Sequence, residues 1–179
     1  MRDNDLIRVF LPIINSGIAA AGLTGVTIKQ ANQPTAQGAN TNPTIYFFKV
    51  SDHRYGFLDR RDVWDEINEV MIHTEVQQYE TVFQFSALVR QNPRTPVNYT
   101  ASDLVNECAA ILQSDVAMTQ LFQNDIGILK ITDIRNPYFT DDRDQYEASP
   151  SFDVTFTHKQ TRVSTVPVIE SVEYNVKRI

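Results

Sequence analysis

At 179 residues, 42% hydrophobic and 21% charged, the chain carries enough apolar material for one folded domain and is too apolar for wholesale disorder. Its 22 acidic and 16 basic residues give a net charge of −6 with no block of five or more Lys/Arg, which argues against a surface that grips nucleic acid. No apolar run approaches the ~20 residues of a membrane helix. The single cysteine, Cys108, excludes an intrachain disulfide framework or a cysteine zinc site and fits a reducing cytoplasm.

In chain order, Asn4 or Asp3 is expected to cap a first helix. Leu6, Ile7, Phe10, Ile13, Ile14 and Ile18 form its apolar stripe, Pro12 kinks it, and the run from Gly17 to Gly25 ends it. Asp3 and Asp5 beside Arg2, with Arg8 and Pro12 inside the apolar stretch, do not suit an export signal, so the helix is expected to belong to the mature protein. A short strand, Val26 to Gln30, precedes a flexible, uncharged loop over about 31–43. Thr44 to Val50 is apolar on both faces and is expected to be central in a sheet.

Ser51 to Glu66 mixes charge and aromatics with no clear period. From Val70 to Arg90 a long extended segment follows, in which Val70, Ile72 and Val76 share one parity while Tyr79, Phe83, Phe85, Ala87 and Val89 share the other. That switch predicts a bulge or a passage between packing environments, and a strand of this length predicts that part of it projects. Thr100 with Asp103 starts a clear helix striped by Leu104, Val105, Cys108, Ile111 and Leu112, and Ser114 caps a second short turn. Ile126 to Ile134 is expected as a strand, Asn136 to Pro150 as an acidic turn-prone loop, Phe152-x-Val154-x-Phe156 as a strand, and Val168 to Val176 as a last strand. These elements sum to a single α+β domain over 1–179, a mostly antiparallel sheet with two helical elements on one face and a long projecting strand and loops.

Chemistry is sparse. His53 adjoins Asp52 and Ser51, but neighbours in one strand point in different directions and do not form a triad. A small hydrolase using His53 with Asp52 and Asp62 would need all three to converge in a pocket. His73 is expected to face solvent and His158 to sit at a strand end. Asp141, Asp142 and Asp144 lack the glycine and distal glutamate of a calcium loop and are read as a solvated turn. Gly22 and Gly25 follow a helix and precede a strand, the reverse of a phosphate loop, and Cys108 is read as a buried structural thiol. No cofactor or metal is expected.

The segment with Arg54, Tyr55, Phe57, Arg60, Arg61 and Trp64 has the composition of an interface hot spot; alternatively Phe57, Leu58 and Trp64 fill the core under a loop. A monomeric module that binds peptides at an exposed sheet edge is a further reading.

The succession DLIRVFLPII, TIYFFKV, RYGFLDRR, VFQFSALVR and SFDVTFTHKQTR resembles the tail-terminator or neck proteins of tailed bacteriophages. The resemblance implies a non-enzymatic virion protein, made in the host cytoplasm. It implies a homo-oligomeric ring, a hexamer, at the head-proximal end of the tail, which ends tube growth and meets the tail-tube protein on one face and the head-side connector on the other. DNA would pass through the lumen without specific binding, and no membrane is involved. Another connector, a tube protein or a baseplate part is the nearest alternative. Within such a ring, Arg54 to Arg61 could meet the acidic loop Asp141 to Glu147 (Asp141, Asp142 and Asp144 foremost) of a neighbour, and Gln33, Gln37 and Asn40 are candidates for an axial contact.

Overall fold

The structure, a computed structural model, describes residues 1–31, 42–90, 99–140 and 146–166, with the backbone alone at 138–140 and 146–148. The loop over 31–43 apart from its ends, Gln33, Gln37, Asn40, Asp141, Asp142, Asp144 and the expected strand at Val168 to Val176 lie outside the described residues.

Helix α1 (Asp3–Ala20) buries Leu6, Phe10, Ile13, Ile14 and Ile18, the expected stripe, and runs on through Pro12. It begins one residue earlier than expected: Asp3 is already helical, and the Asp5 carboxylate accepts a hydrogen bond from the Arg2 N–H at 3.2 Å. Strand β1 (Thr27–Gln30) pairs in parallel with the start of β2 (Thr44–Asp65). β2 turns at 66–69 into β3 (Val70–Leu88), with the Asp65 carboxylate accepting from the backbone N–H of Ile67 and Asn68 and Glu69 in the left-handed region. Helix α2 (Ala101–Gln113) is capped as its sequence indicates. Thr100 Oγ1 accepts from the Asp103 N–H at 3.1 Å and Asp103 accepts from the Thr100 N–H at 2.8 Å. The turn expected after Ser114 is a helix of its own, α3 (Asp115–Phe122), so three helices rather than two helical elements pack on the sheet. β4 (Gly127–Ile131), the short pair β5 (Tyr138–Thr140) and β6 (Tyr146–Ala148), and β7 (Ser151–Val166) complete the described chain.

The main sheet has the order β1-β2-β3-β7-β4, antiparallel except for β1 with β2, so the fold is α+β as expected. The middle strand is β3, and Thr44 to Val50, expected to be central, is an interior strand one place to the side. Directly opposed residues of paired strands share a face. Ile45 and Phe47 therefore line one face with Phe83, Phe85, Ala87, Phe152, Val154 and Phe156, and this is the face the helices cover. Phe10 from α1 sits in its centre, with ring centroids 5.3–5.8 Å from Phe47, Phe83, Phe85 and Phe156. Cys108 is fully buried in the same core, where burial pushes its thiol pKa up to about 12 and leaves it protonated and inert.

Helices α1 and α2 meet at Gly17. A Cβ there would lie 2.5 Å from Ile111 Cγ2, closer than side-chain contacts tolerate. Gly17→Ala is expected to destabilise the fold by about 1–3 kcal/mol through this overlap, partly offset by the ~1 kcal/mol gain in helix propensity. A lower urea midpoint checks it, and an unchanged or higher midpoint would show that the helices can move apart at no cost.

Candidate assembly surface: a three-stranded arm

The aperiodic segment from Ser51 to Asp65 is the outer half of β2, an unbroken strand rather than a loop. Its pairing with β3 shifts twice, between Lys49 and Ser51 and between Tyr55 and Asp59, so one extra residue and then two more are accommodated on β2. Gly56 occupies the second bulge with φ +70°, a conformation that costs an L-residue roughly 1 kcal/mol or more, and Gln77 Nε2 donates to the Tyr55 carbonyl at 2.9 Å. β7 likewise continues well past Phe156 to Val166. His158, expected at a strand end, lies in mid-strand.

Together β2, β3 and β7 form an antiparallel arm that runs past the helix-covered core. From Tyr79 to the turn it spans roughly 30 Å at ~3.4 Å per residue. Residues 51–64 of β2 and 161–166 of β7 are exposed throughout. Phe57, Leu58 and Trp64 do not fill a core: they are 101%, 37% and 44% exposed. Tyr55, Val63, Ile67, Val163 and Val166 add to the exposed apolar surface of the arm.

The parity switch along β3 has a direct structural meaning. β3 has no bulge against β7: the two stay in one register from Met71 to Ser86. Phe83 and Phe85 point to the helices, while Val70, Ile72 and Val76 point to the opposite face, where they align with Val63 and Val163. The domain's core and the arm's apolar stripe therefore lie on opposite faces of the same sheet. The helix-side face of the arm carries charge along its middle, with Trp64, Met71 and Val166 at its tip. Arg60 faces Glu75 at 3.5 Å, and His73, half-buried rather than solvent-facing, lies 2.5 Å from Asp62 and 3.5 Å from Glu75. The Asp62 hydrogen bond above all raises the His73 pKa.

Where the arm leaves the domain, a polar chain, buried at Thr81 and His158 and open to solvent at Asp3 and Asp52, ties its strands to α1. Lys49 Nζ bonds both oxygens of Asp3 at 2.8 Å and pairs with Asp52. The Thr81 hydroxyl donates to Asp52 at 2.8 Å and lies 2.9 Å from His158 Nε2. Burial pushes the Asp52 carboxyl up, but the hydrogen bonds from Lys49 and Thr81 outweigh it and hold the group below its usual range. Since Thr81 has given its proton to Asp52, His158 Nε2 must be the donor in their contact, which leaves Nδ1 bare; it has no partner among the described residues. Tyr79 stacks on the imidazole at 5.8 Å, and burial depresses the His158 pKa.

A histidine kept neutral in the folded state binds its proton more readily when unfolded, so the stability it secures is complete above its ordinary value of 6.5 and is lost as pH falls through that value. Unfolding midpoints are expected to drop as pH falls below 6.5, and His158→Gln should flatten that drop. The same slope in both proteins would rule His158 out as its source.

The candidate set His53, Asp52 and Asp62 does not assemble. His53 is opposite Glu80 on one face of the sheet, Asp52 is opposite Thr81 on the other, and Asp62 is far along the arm opposite His73, so the three do not converge. Thr81, next to a histidine, is fully buried, and Asp52 contacts Thr81 rather than the imidazole. Among the described residues no three His, Cys, Asp or Glu side chains are placed to hold a metal ion, and no helix is long and apolar enough to cross a membrane.

The family model of the E217 gateway protein gp29 matches residues 5–168, a span that takes in α1 from Asp5 onward, the core sheet and all three arm strands. The chain belongs to that family. No curated protein matches the chain. The gateway family is a phage head–tail family, which agrees with the resemblance to neck proteins at that coarser level.

Proposed function

We propose that this gateway-family chain is the subunit of a closed ring, six-fold in the simplest case, set between the head-side connector and the tail tube, where it ends tube growth and lets DNA through without binding its sequence. The observation that supports this reading is the arm: a small domain extends three strands into solvent and exposes Tyr55, Phe57, Trp64, Ile67 and Val163 on them. A subunit that stayed alone would be expected to bury or charge such a surface. A ring needs two different, complementary patches on each subunit, and the arm with its basic Arg54, Arg60 and Arg61 supplies one. The acidic loop with Asp141, Asp142 and Asp144 is the proposed partner of those arginines on the neighbour, and Gln33, Gln37 and Asn40 the proposed axial contact.

Mixing the purified protein with tail tubes tests the placement: rings seated on one tube end, without extension, are expected. Long cylinders of this chain alone would make it a tube protein instead. Arg60→Glu with Arg61→Glu is expected to abolish ring formation by turning attraction to the acidic loop into repulsion, read by analytical ultracentrifugation; an intact ring from that variant would remove the arginine–acidic-loop contact.

A further inference from the structure

We propose that neighbouring subunits join edge to edge through their arms, β7 of one copy lying parallel to β2 of the next, with Lys159 beside Asp59, Arg162 beside Asp62 and Val163 beside Val63. The inference rests on the ring reading above and names the contact that closes it.

Both edges of the arm are open among the described residues. β1 covers β2 only at Thr44–Phe47, and β4 covers β7 only at Val154–Thr157. Beyond those points the edges present unpaired backbone N–H and C=O groups, a template for another strand, apart from the Lys159 carbonyl, which accepts from the Met1 ammonium at 2.6 Å, and the Tyr55 carbonyl, which accepts from Gln77. Topology then restricts how copies can meet. β2 and β7 are each antiparallel to β3, so both run from the domain toward the tip. A two-fold dimer would join like edges, β2 to β2 or β7 to β7, in antiparallel fashion. A cyclic ring joins unlike edges, β7 to β2, and its copies point the same way, so that pairing is parallel.

Side chains select the register. Since β3 is paired with both strands, it serves as a common ruler. At equal height, Arg162 and Arg60 both face Glu75, while Val163 and Arg61 both face Thr74. A neighbour docked level would thus place arginine beside arginine and valine beside arginine. Slippage by one residue would turn the apolar stripe of one arm to the charged face of the next, so only even shifts keep the faces aligned.

Sliding β7 two residues toward the neighbour's tip changes all the pairings at once. Arg162 then reaches the level of His73, where Asp62 sits, Lys159 reaches the level of Val76, where Asp59 sits, and Val163 reaches the level of Ile72, where Val63 sits. Gln160 and Thr161 fall beside Arg60 and Arg61, so the register does not set like charges against them. Lys159, Arg162 and Asp59 have no ion-pair partner within the chain among the described residues. Asp62 is paired only with His73 and keeps a side chain 59% exposed. The opposite two-residue shift sets Val163 against Asp59 and Lys159 against His53, and has none of this complementarity. In the favoured register the stripes of Val63, Ile72, Val76 and Val163 become one continuous apolar belt around the ring.

The test is a disulfide. Adjacent strands lie ~4.8 Å apart, within the Cα separation a disulfide spans. The full chain carrying Val63→Cys and Val163→Cys together, mildly oxidised as a ring, is expected to give a ladder of covalent multimers ending at the ring size. Either single variant should give no ladder, and the two singles mixed should stop at covalent dimers. As a second measurement, Lys159→Asp with Arg162→Asp should raise the dissociation concentration of the ring about tenfold or more, and adding Asp59→Lys with Asp62→Arg to that variant should restore it. Rings that form without cross-linking, or that ignore the charge reversal, overturn this contact and leave the ring reading standing. A protein monomeric both alone and with tail tubes overturns the ring reading, and this one with it.

Discussion

Phe57→Ser combined with Ile67→Ser is expected to leave the fold untouched and to dismantle the assembly. Phe57 is 101% exposed in the Gly56 bulge and Ile67 is 92% exposed in the turn at the tip, so neither side chain packs against its own subunit. Surface changes of that kind shift stability within about ±0.5 kcal/mol, and replacing exposed apolar groups by hydroxyls removes nothing the monomer buries. If the arm is where subunits or neighbouring rings dock, the same two side chains are anchors, and losing an interface anchor costs about 2 kcal/mol or more, roughly 30-fold in affinity per contact. Circular dichroism melts should therefore superimpose on those of the parent, while sedimentation shifts from ring to monomer. A variant that melts alike and still forms rings that seat on tubes would show that the tip of the arm is not used.

The second large effect is the reverse. Phe10→Ala is expected to cost about 3–5 kcal/mol. This one ring from α1 touches the phenylalanines of three strands, Phe47 on β2, Phe83 and Phe85 on β3, and Phe156 on β7. Its loss leaves a cavity at the point where helix and sheet are joined and takes the stacking partner from Phe156, which keeps its edge contact with Phe83. Against a total stability of 5–15 kcal/mol typical of domains, the midpoint should fall by roughly 6–20 °C. A fall of less than a few degrees would mean that α1 is not held mainly through Phe10. Phe10→Leu, which refills most of the space, should recover the larger part of the loss.

The two predictions also show which parts of this molecule can be read in its sequence. Where one face is buried and the other wet, periodicity survives. The stripe of α1, the Thr100–Asp103 cap and the alternation of Phe152, Val154 and Phe156 could all be placed from residues alone. The arm hides for the same physical reason. Ser51 to Trp64 is exposed on both faces, so nothing forces its apolar residues onto one parity, and the extra residues at Val50 and around Gly56 break whatever alternation remains. A clue was nonetheless present in β3: a strand of nineteen residues cannot stay extended without partners of similar length, and Ser51–Asp65 was the adjacent candidate. The parity switch near Val76 was visible too, although its cause is a change of packing environment and not a bulge in β3. What periodicity could not supply was the fate of His158. It looked like the end of an alternating strand because the charged and threonine-rich continuation has no apolar face of its own.

The interaction residues divide in the same way. Arg54, Tyr55, Phe57, Arg60, Arg61 and Trp64 were legible as a composition, but their meaning came from the strand that carries them. Lys159, Arg162 and Val163 could not be singled out before the register of β7 against β3 was known, because the complementarity they have with Asp59, Asp62 and Val63 exists only between two copies placed side by side.

We propose that the exposed arm of this gateway-family chain joins subunits into a closed ring. Negative-stain imaging of the purified protein, with native mass spectrometry on the same sample, tests it most directly. Annular particles of one subunit number, lost in the Phe57→Ser/Ile67→Ser variant, are the expected result. Isolated monomers at every concentration, still isolated in the presence of tail tubes, would contradict it.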